Sequence, residues 1–122
     1  MDFLFNTISV SDIEKSMQFY TEILNLNLSR RFQPRPGVEI VFLEDEKVSC
    51  VELIEHEDQE TPNNKKESKI KMGFEVKNLN DTIDFLKTKN IKIQEGPVKI
   101  KDGRFINIQD PDGVMIGLYE FN

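Results

Sequence analysis

Asp110-Pro111-Asp112-Gly113-Val114-Met115-Ile116-Gly117-Leu118-Tyr119-Glu120 is the stretch that decides the fold. Its first four residues have the chemistry of a tight turn. Pro111 presets φ, the Asp side chains can accept from nearby backbone N–H groups, and Gly113 tolerates φ > 0. An alternating run follows, with Val114, Ile116 and Leu118 on one face and Met115, Gly117, Tyr119 and Phe121 on the other. A turn that fires into a final strand fixes which side of a sheet each of these side chains meets.

The rest of the chain reads as the same kind of unit met twice. Residues 3–10 form a strand with Leu4, Ile8 and Val10 on one face. Ser11-Asp12-Ile13-Glu14 has capping-box form, and either Ser11 or Asp12 serves as the cap. Ile13, Met17, Tyr20 and Leu24 recur at helical spacing, Phe19 and Ile23 widen the stripe, and Asn25 ends the helix. Strands follow over 26–32, 38–43 and 48–54, separated by the breaker Gln33-Pro34-Arg35-Pro36-Gly37 and the polar turn Glu44–Lys47. From Glu55 to Lys69 there is no large apolar residue, which marks an exposed linker. The order then returns. Residues 70–76 are a strand, and Lys77 or Asn78 opens a helix carrying Leu79, Ile83 and Leu86 with Phe85 beside them. That helix closes at Lys89-Asn90. Strands are expected over 91–93, 98–100 and 105–109, with turns at Gly96-Pro97 and Lys101-Asp102-Gly103, before the closing strand.

The two halves keep a constant offset. Val10 and Val76, Asp12 and Asn78, Ile13 and Leu79, Met17 and Ile83, and Phe19 and Phe85 each differ by 66. One βαβββ unit has a single apolar sheet face and one helix, too little to stand alone, so two units are expected to pair. The predicted class is α+β: two βαβββ modules forming a cupped mixed sheet with helices outside. The boundaries are module one at 1–55, linker at 56–69 and module two at 70–122, within one domain spanning 1–122.

Composition narrows the function classes. A chain of 122 residues with 38% hydrophobic and 31% charged residues suits one globular domain. A formal net charge of −6 argues against a general nucleic-acid surface. Cys50 is the one cysteine, so no internal disulfide can form. No apolar run approaches the roughly 20 residues of a membrane span, and the N-terminus lacks the form of a signal peptide. A cytoplasmic protein with no nucleic-acid or membrane partner is expected.

Val10-Ser11-Asp12-Ile13-Glu14-Lys15-Ser16-Met17-Gln18-Phe19-Tyr20, Phe74-Glu75-Val76-Lys77-Asn78-Leu79 and the closing Asp-Pro-Asp-Gly turn together resemble the vicinal oxygen chelate superfamily, which includes glyoxalase I, bleomycin resistance proteins and extradiol dioxygenases. The resemblance spans nearly the whole chain. It implies a cup lined, in metal-dependent relatives, by four ligands. Carried onto this sequence, the four slots are Phe5, Glu52, Lys71 and Gly117. Of these only Glu52 is a usable ligand. Phe5 and Gly117 offer no donor, and a lysine ammonium is a poor ligand at neutral pH. One carboxylate does not hold a divalent ion tightly, so no metal and no other cofactor is expected.

Strand parity supplies the remaining cup positions. Cys50 and Ile54 flank Glu52, and Gly73 and Glu75 flank Lys71. Met115, Tyr119 and Phe121 share the Gly117 face, and Phe3 and Thr7 share that of Phe5. The expected ligand-binding set is Phe5, Cys50, Glu52, Lys71, Glu75, Met115, Tyr119 and Phe121, an apolar and partly aromatic lining with a few charges. Met115, Phe3 and Phe121 serve equally well as core or dimer-interface residues. Two readings of Glu52 and Lys71 stand open. They form a structural salt bridge in place of the metal, or they act on a ligand, with Glu52 as base and Lys71 polarising a carbonyl or holding an anion. His56 shares the Glu52 face on a continued strand but opens the charged linker, which favours a solvated histidine. Arg30, Arg31 and Arg35 suit a solvated hairpin tip better than an anion grip. The leading expectation is a metal-independent small-molecule binding homodimer. Against it stand a glyoxalase-like lyase or isomerase with an altered metal centre, and a scaffold whose site is lost.

Overall fold

A computed structural model describes residues 1, 4–47, 49–57 and 70–122. Phe3, Val48 and the 58–69 part of the expected linker lie outside the described residues. The chain divides into two compact units, Met1–Lys65 and Lys66–Asn122.

The first unit contains β1 (Phe5–Ser9), α1 (Ile13–Gln18), a π-helical turn (Phe19–Ile23), β2 (Asn27–Arg35), β3 (Val38–Glu44) and β4 (Cys50–His56). Its sheet has the order β1-β4-β3-β2, with β1 parallel to β4 and the other pairs antiparallel. The second unit contains β5 (Lys71–Glu75), α2 (Leu79–Thr88), β6 (Glu95–Ile100), β7 (Gly103–Gln109) and β8 (Met115–Phe121). Its order is β5-β8-β7-β6, with β5 parallel to β8 and the rest antiparallel. The register repeats as well as the order. Phe5 lies opposite Cys50 and Thr7 opposite Glu52, while Lys71 lies opposite Met115 and Gly73 opposite Gly117. The α+β reading with two βαβββ modules therefore holds.

The helices start and stop through local chemistry. Asp12, not Ser11, caps α1, its Oδ1 accepting from Lys15 N–H at 3.2 Å. Asn78 does the same for α2, accepting from Asp81 N–H at 3.0 Å. Asn25 and Asn90 follow the helices with φ of 60° and 58°, a left-handed turn that asparagine tolerates better than most residues. A second tie comes from the sheet. The Glu55 carboxylate accepts the Ile13 N–H at 2.9 Å, and the Glu120 carboxylate accepts the Leu79 N–H at 2.7 Å. Each helix thus has a first-turn N–H satisfied by the strand it packs on. Behind these ties sits the core of each unit. Val41, Leu43, Val51 and Leu53 are buried with Ile13, Ser16, Phe19 and Tyr20. Met72, Ile106, Ile108, Ile116 and Leu118 are buried with Leu79 and Leu86.

The closing turn is built as its residues predict. Asp110 is buried, and its Oδ1 accepts from Asp112 N–H at 2.9 Å and Val114 N–H at 2.8 Å; Gly113 sits at φ 89°. The same device recurs in the first unit. Asp45 Oδ1 accepts from Lys47 N–H at 2.9 Å and Ser49 N–H at 2.8 Å before β4. The duplication therefore extends to the turn, under a different sequence.

Some element bounds differ from the sequence reading. β4 continues through Glu55 and His56, so the linker begins later than residue 56. Pairing of Glu39 with Glu55 and of Val38 with His56 carries the strand past its last apolar side chain. β2 runs through Pro34 to Arg35, with an irregular register between Phe32 and Arg35. It is an edge strand, where a missing proline N–H costs no ladder bond. β6 likewise includes Gly96-Pro97 on the other sheet's edge, with its register shifted between Glu95 and Val98. Residues 91–93 are not a strand. They carry the chain from α2 to the sheet edge.

Two outcomes test these ties. Asp110→Ala leaves two turn N–H groups without their acceptor and should cost about 1–3 kcal/mol, read from urea unfolding. Glu120 is held below the usual carboxylate range by the Arg104 side chain at 2.9 Å and then by the Leu79 N–H. A lowered folded-state value contributes stability above the unfolded value and loses it as pH falls through the folded one. The melting temperature should therefore drop as pH falls through the acidic carboxylate range, and Glu120→Gln should flatten that drop in a circular dichroism series.

Candidate functional site

Each sheet has one face covered by its helix. The opposite face carries the expected site residues. In the first unit, Phe5, Thr7, Cys50, Glu52 and Phe42 share that face by register. Phe5 meets Phe42 edge to face at 5.2 Å, and Phe42 stacks with Phe32 at 6.4 Å. The Arg30 guanidinium lies 4.7 Å from the Phe32 ring centre and 5.6 Å from that of Phe42. Glu52 accepts a hydrogen bond from the Thr7 hydroxyl at 2.5 Å. Cys50 is half-buried at the start of β4. The arginines separate by strand parity. Arg30 points to this ring cluster, while Arg31 turns to the helix side and binds Glu14 and Glu39. Those two carboxylates raise the Arg31 pKa, and Arg31 holds Glu39 below the usual carboxylate range. Arg31 is thus part of the scaffold rather than a solvated tip. His56 ends β4 half-buried, with its buried Nδ1 unpaired among the described residues.

In the second unit, Lys71, Glu75, Met115, Tyr119 and Phe121 share one face. Lys71 folds across the sheet. Its ammonium lies 4.6 Å from the Phe105 ring centre and 5.2 Å from that of Tyr119. Phe105, Tyr119 and Phe121 form a stack with centre separations of 5.1 and 6.0 Å. Gly117 is the floor under the lysine. A Cβ at Gly117 would fall 2.5 Å from Lys71 Cε and 2.7 Å from Tyr119 Cε1. Next to the stack is an open depression of about 330 Å³ lined by Gly73, Phe74, Glu75, Tyr119 and Phe121. Met115 is half-buried opposite Lys71. Opposite Gly117 on β7 stands Asn107, 6% exposed. Its Nδ2 donates to Glu95 at 2.8 Å, and its buried Oδ1 has no partner among the described residues.

Three of the expected ligand-binding residues thus gather in the first unit and five in the second. Phe105, Asn107 and Arg30 were absent from the sequence set. Phe105 and Asn107 alternate on β7 as the lining does on β8, so strand parity extended one strand further would have found them.

The sequence matches the model of the Glyoxalase/Bleomycin resistance protein/Dioxygenase superfamily over residues 4–118. The chain belongs to this superfamily. No curated protein matches the sequence. Solved structures share the fold at low identity. An antibiotic binding protein, TnmS3, from Streptomyces sp. CB03234 is 20% identical with a TM-score of 0.77, over 100% of this chain and 98% of that one. A glyoxalase family protein from Bacillus cereus is 18% identical with a TM-score of 0.85, over 99% and 94%. The fosfomycin resistance protein FosX from Listeria monocytogenes is 14% identical with a TM-score of 0.79, over 99% and 92%.

The superfamily's metal pattern fits the residues of this member poorly. Within either unit, no three described His, Cys, Asp or Glu side chains gather as a metal cluster. The space above Gly117, one of the four slots that the resemblance implies, is filled by Lys71. A side chain at that floor must displace both the lysine and a stiff ring. Gly117→Ala should therefore shift the Tyr119 ring resonances in NMR spectra and cost about 1–3 kcal/mol in chemical unfolding.

Proposed function

We propose that this superfamily member is a metal-independent small-molecule binding protein whose ligand lies on the helix-free face. The observation that carries this reading is the Phe105–Tyr119–Phe121 stack beside the 330 Å³ depression. Three stacked rings in a row offer an apolar surface against which another planar group can pack. Gly73 keeps the wall low, and Glu75 supplies a polar rim. Small-molecule sites combine these elements, a largely apolar lining with a few placed polar groups. A planar antibiotic or metabolite suits such a surface, and the antibiotic-binding neighbour TnmS3 shows that the fold accommodates an antibiotic. The donor set argues for binding without a metal, since Phe5 and Gly117 contribute no ligand atom and Lys71 brings a positive charge to the same face as Gly117.

The enzymatic alternative draws on one observation, the Thr7–Glu52 hydrogen bond. It orients a carboxylate that would serve as base in a lyase or isomerase. Under that alternative, Glu52→Gln removes turnover and leaves affinity intact. For the binding protein, Glu52→Gln changes affinity or nothing. We further take the protein to act as a cytoplasmic homodimer. Leu4, Leu28, Ile70 and Phe121 are each more than half exposed in the single chain, apolar surface that a second copy would cover.

Two measurements test the main reading. Elemental analysis of protein purified without chelator should find no near-stoichiometric divalent metal; such a metal would overturn metal independence. A thermal-shift screen against antibiotics with fused aromatic rings should raise the melting temperature, because a ligand that binds only the folded state stabilises it. Tyr119→Ala should abolish that rise while the variant still folds cooperatively.

A further inference from the structure

We propose that Lys71 is the resident cation of the second unit's open face, and that the ligand it holds is a planar aromatic molecule carrying an anionic oxygen, of which a carboxylate is the simplest form. This rests on the small-molecule reading above and names the chemistry of the ligand.

Within its unit the ammonium is held by rings and not by a described carboxylate. Two aromatic rings flank it at 4.6 and 5.2 Å, and within its unit no described carboxylate lies at ion-pair distance from it. Ring faces attract a cation without cancelling its charge, so the charge stays available to a ligand. The lysine also occupies a built position. Gly117 lacks the Cβ that would strike its Cε, so the arm lies flat on the sheet with Nζ beside the ring stack. An anion meeting Nζ would bring an attached ring up to the Phe105–Tyr119–Phe121 stack.

The remaining polar groups set the ligand's direction. Glu75 lies four residues along β5, roughly 13 Å from Lys71 at the strand's rise per residue. It repels an anion at that end, so the negative group faces Lys71. Asn107, directly opposite Gly117, is buried and donates to Glu95, and its neutral amide adds no charge to the face. The superfamily's pattern would put a metal at this face. Here a lysine fills the space over Gly117 and supplies the positive charge instead. The face therefore selects for anionic oxygen without a metal bridging to it.

The test compares 3-hydroxy-2-naphthoate with the neutral 2-naphthamide by calorimetry and by NMR of the Tyr119 ring. Tyr20 is fully buried on the helix side, so Tyr119 reports on the open face. The hydroxynaphthoate should bind about tenfold tighter than the amide, as expected for a hydrogen bond to a charged group. Lys71→Met should erase that preference, and Lys71→Arg should retain it. If Lys71→Met does not fold, the Lys71 Cε resonance of the wild type decides. It should move on adding the hydroxynaphthoate and stay still with the amide. Equal affinity for both probes, or a preference surviving in Lys71→Met, overturns the role of Lys71 and leaves the aromatic binding surface standing. If neither probe moves the Tyr119 resonances, both readings fall.

Discussion

The carboxylates of Glu55 and Glu120 are the contacts on which the arrangement turns. Each sits near the end of its unit's last strand and accepts the first helical N–H of that unit's helix. An N-terminal turn has N–H groups with no partner inside the helix, and leaving one buried and unpaired costs more than the bond itself contributes. A helix fixed in this way lies on one side of its sheet and at one position along it. Arg104 strengthens the second tie by pairing with Glu120. The first unit achieves a similar brace by another route, with Arg31 reaching from β2 to Glu14 on the helix and Glu39 on β3.

Fixing the helix on one side leaves the other side free to vary. The two units share strand order, register, caps and turns, so they offer equivalent frames. On those frames the open faces have diverged. Where the first unit has Phe5 opposite Cys50 and Thr7 opposite Glu52, the second has Lys71 opposite Met115 and Gly73 opposite Gly117. In one, a carboxylate takes a hydroxyl hydrogen bond and a guanidinium rests on two phenylalanines. In the other, an ammonium rests on a phenylalanine and a tyrosine. Cations on rings recur, yet they arrive from different strands, Arg30 from β2 and Lys71 from β5. The likeness is in chemistry and not in position.

Much of the frame was legible in the sequence, because it is written in short-range signals. Asp12 and Asn78, offset by 66, announce two caps, and Asp110 to Gly113 announces a turn that the structure builds from those residues. What stayed hidden depends on partners far along the chain. Glu55 looked like the start of a linker because its neighbours are polar. Its role comes from Ile13, 42 residues earlier, and from Glu39 across the ladder. Pro34 and Pro97 looked like breakers because proline lacks an N–H, but an edge strand does not need every N–H. The site divided the same way. Parity along one strand placed Tyr119 and Phe121 beside Gly117. Phe105 and Asn107 come from the neighbouring strand, where parity gives their face and the pairing of β7 with β8 gives their place beside Tyr119 and Gly117.

Lys71 and Gly117 have to be read as one feature. A lysine at 71 with any side chain at 117 would lose its bed on the sheet, since the added Cβ would meet both Cε and the Tyr119 ring. A glycine at 117 without the lysine would leave Phe105 and Tyr119 facing a gap. Taken singly, each substitution looks like a lost metal ligand. Taken together they are complementary in shape, and they give that face an ammonium lying over a glycine. Shape complementarity between Lys71, Gly117 and the two rings makes a fixed positive charge part of how this face packs, so neither residue can be changed without disturbing the other three.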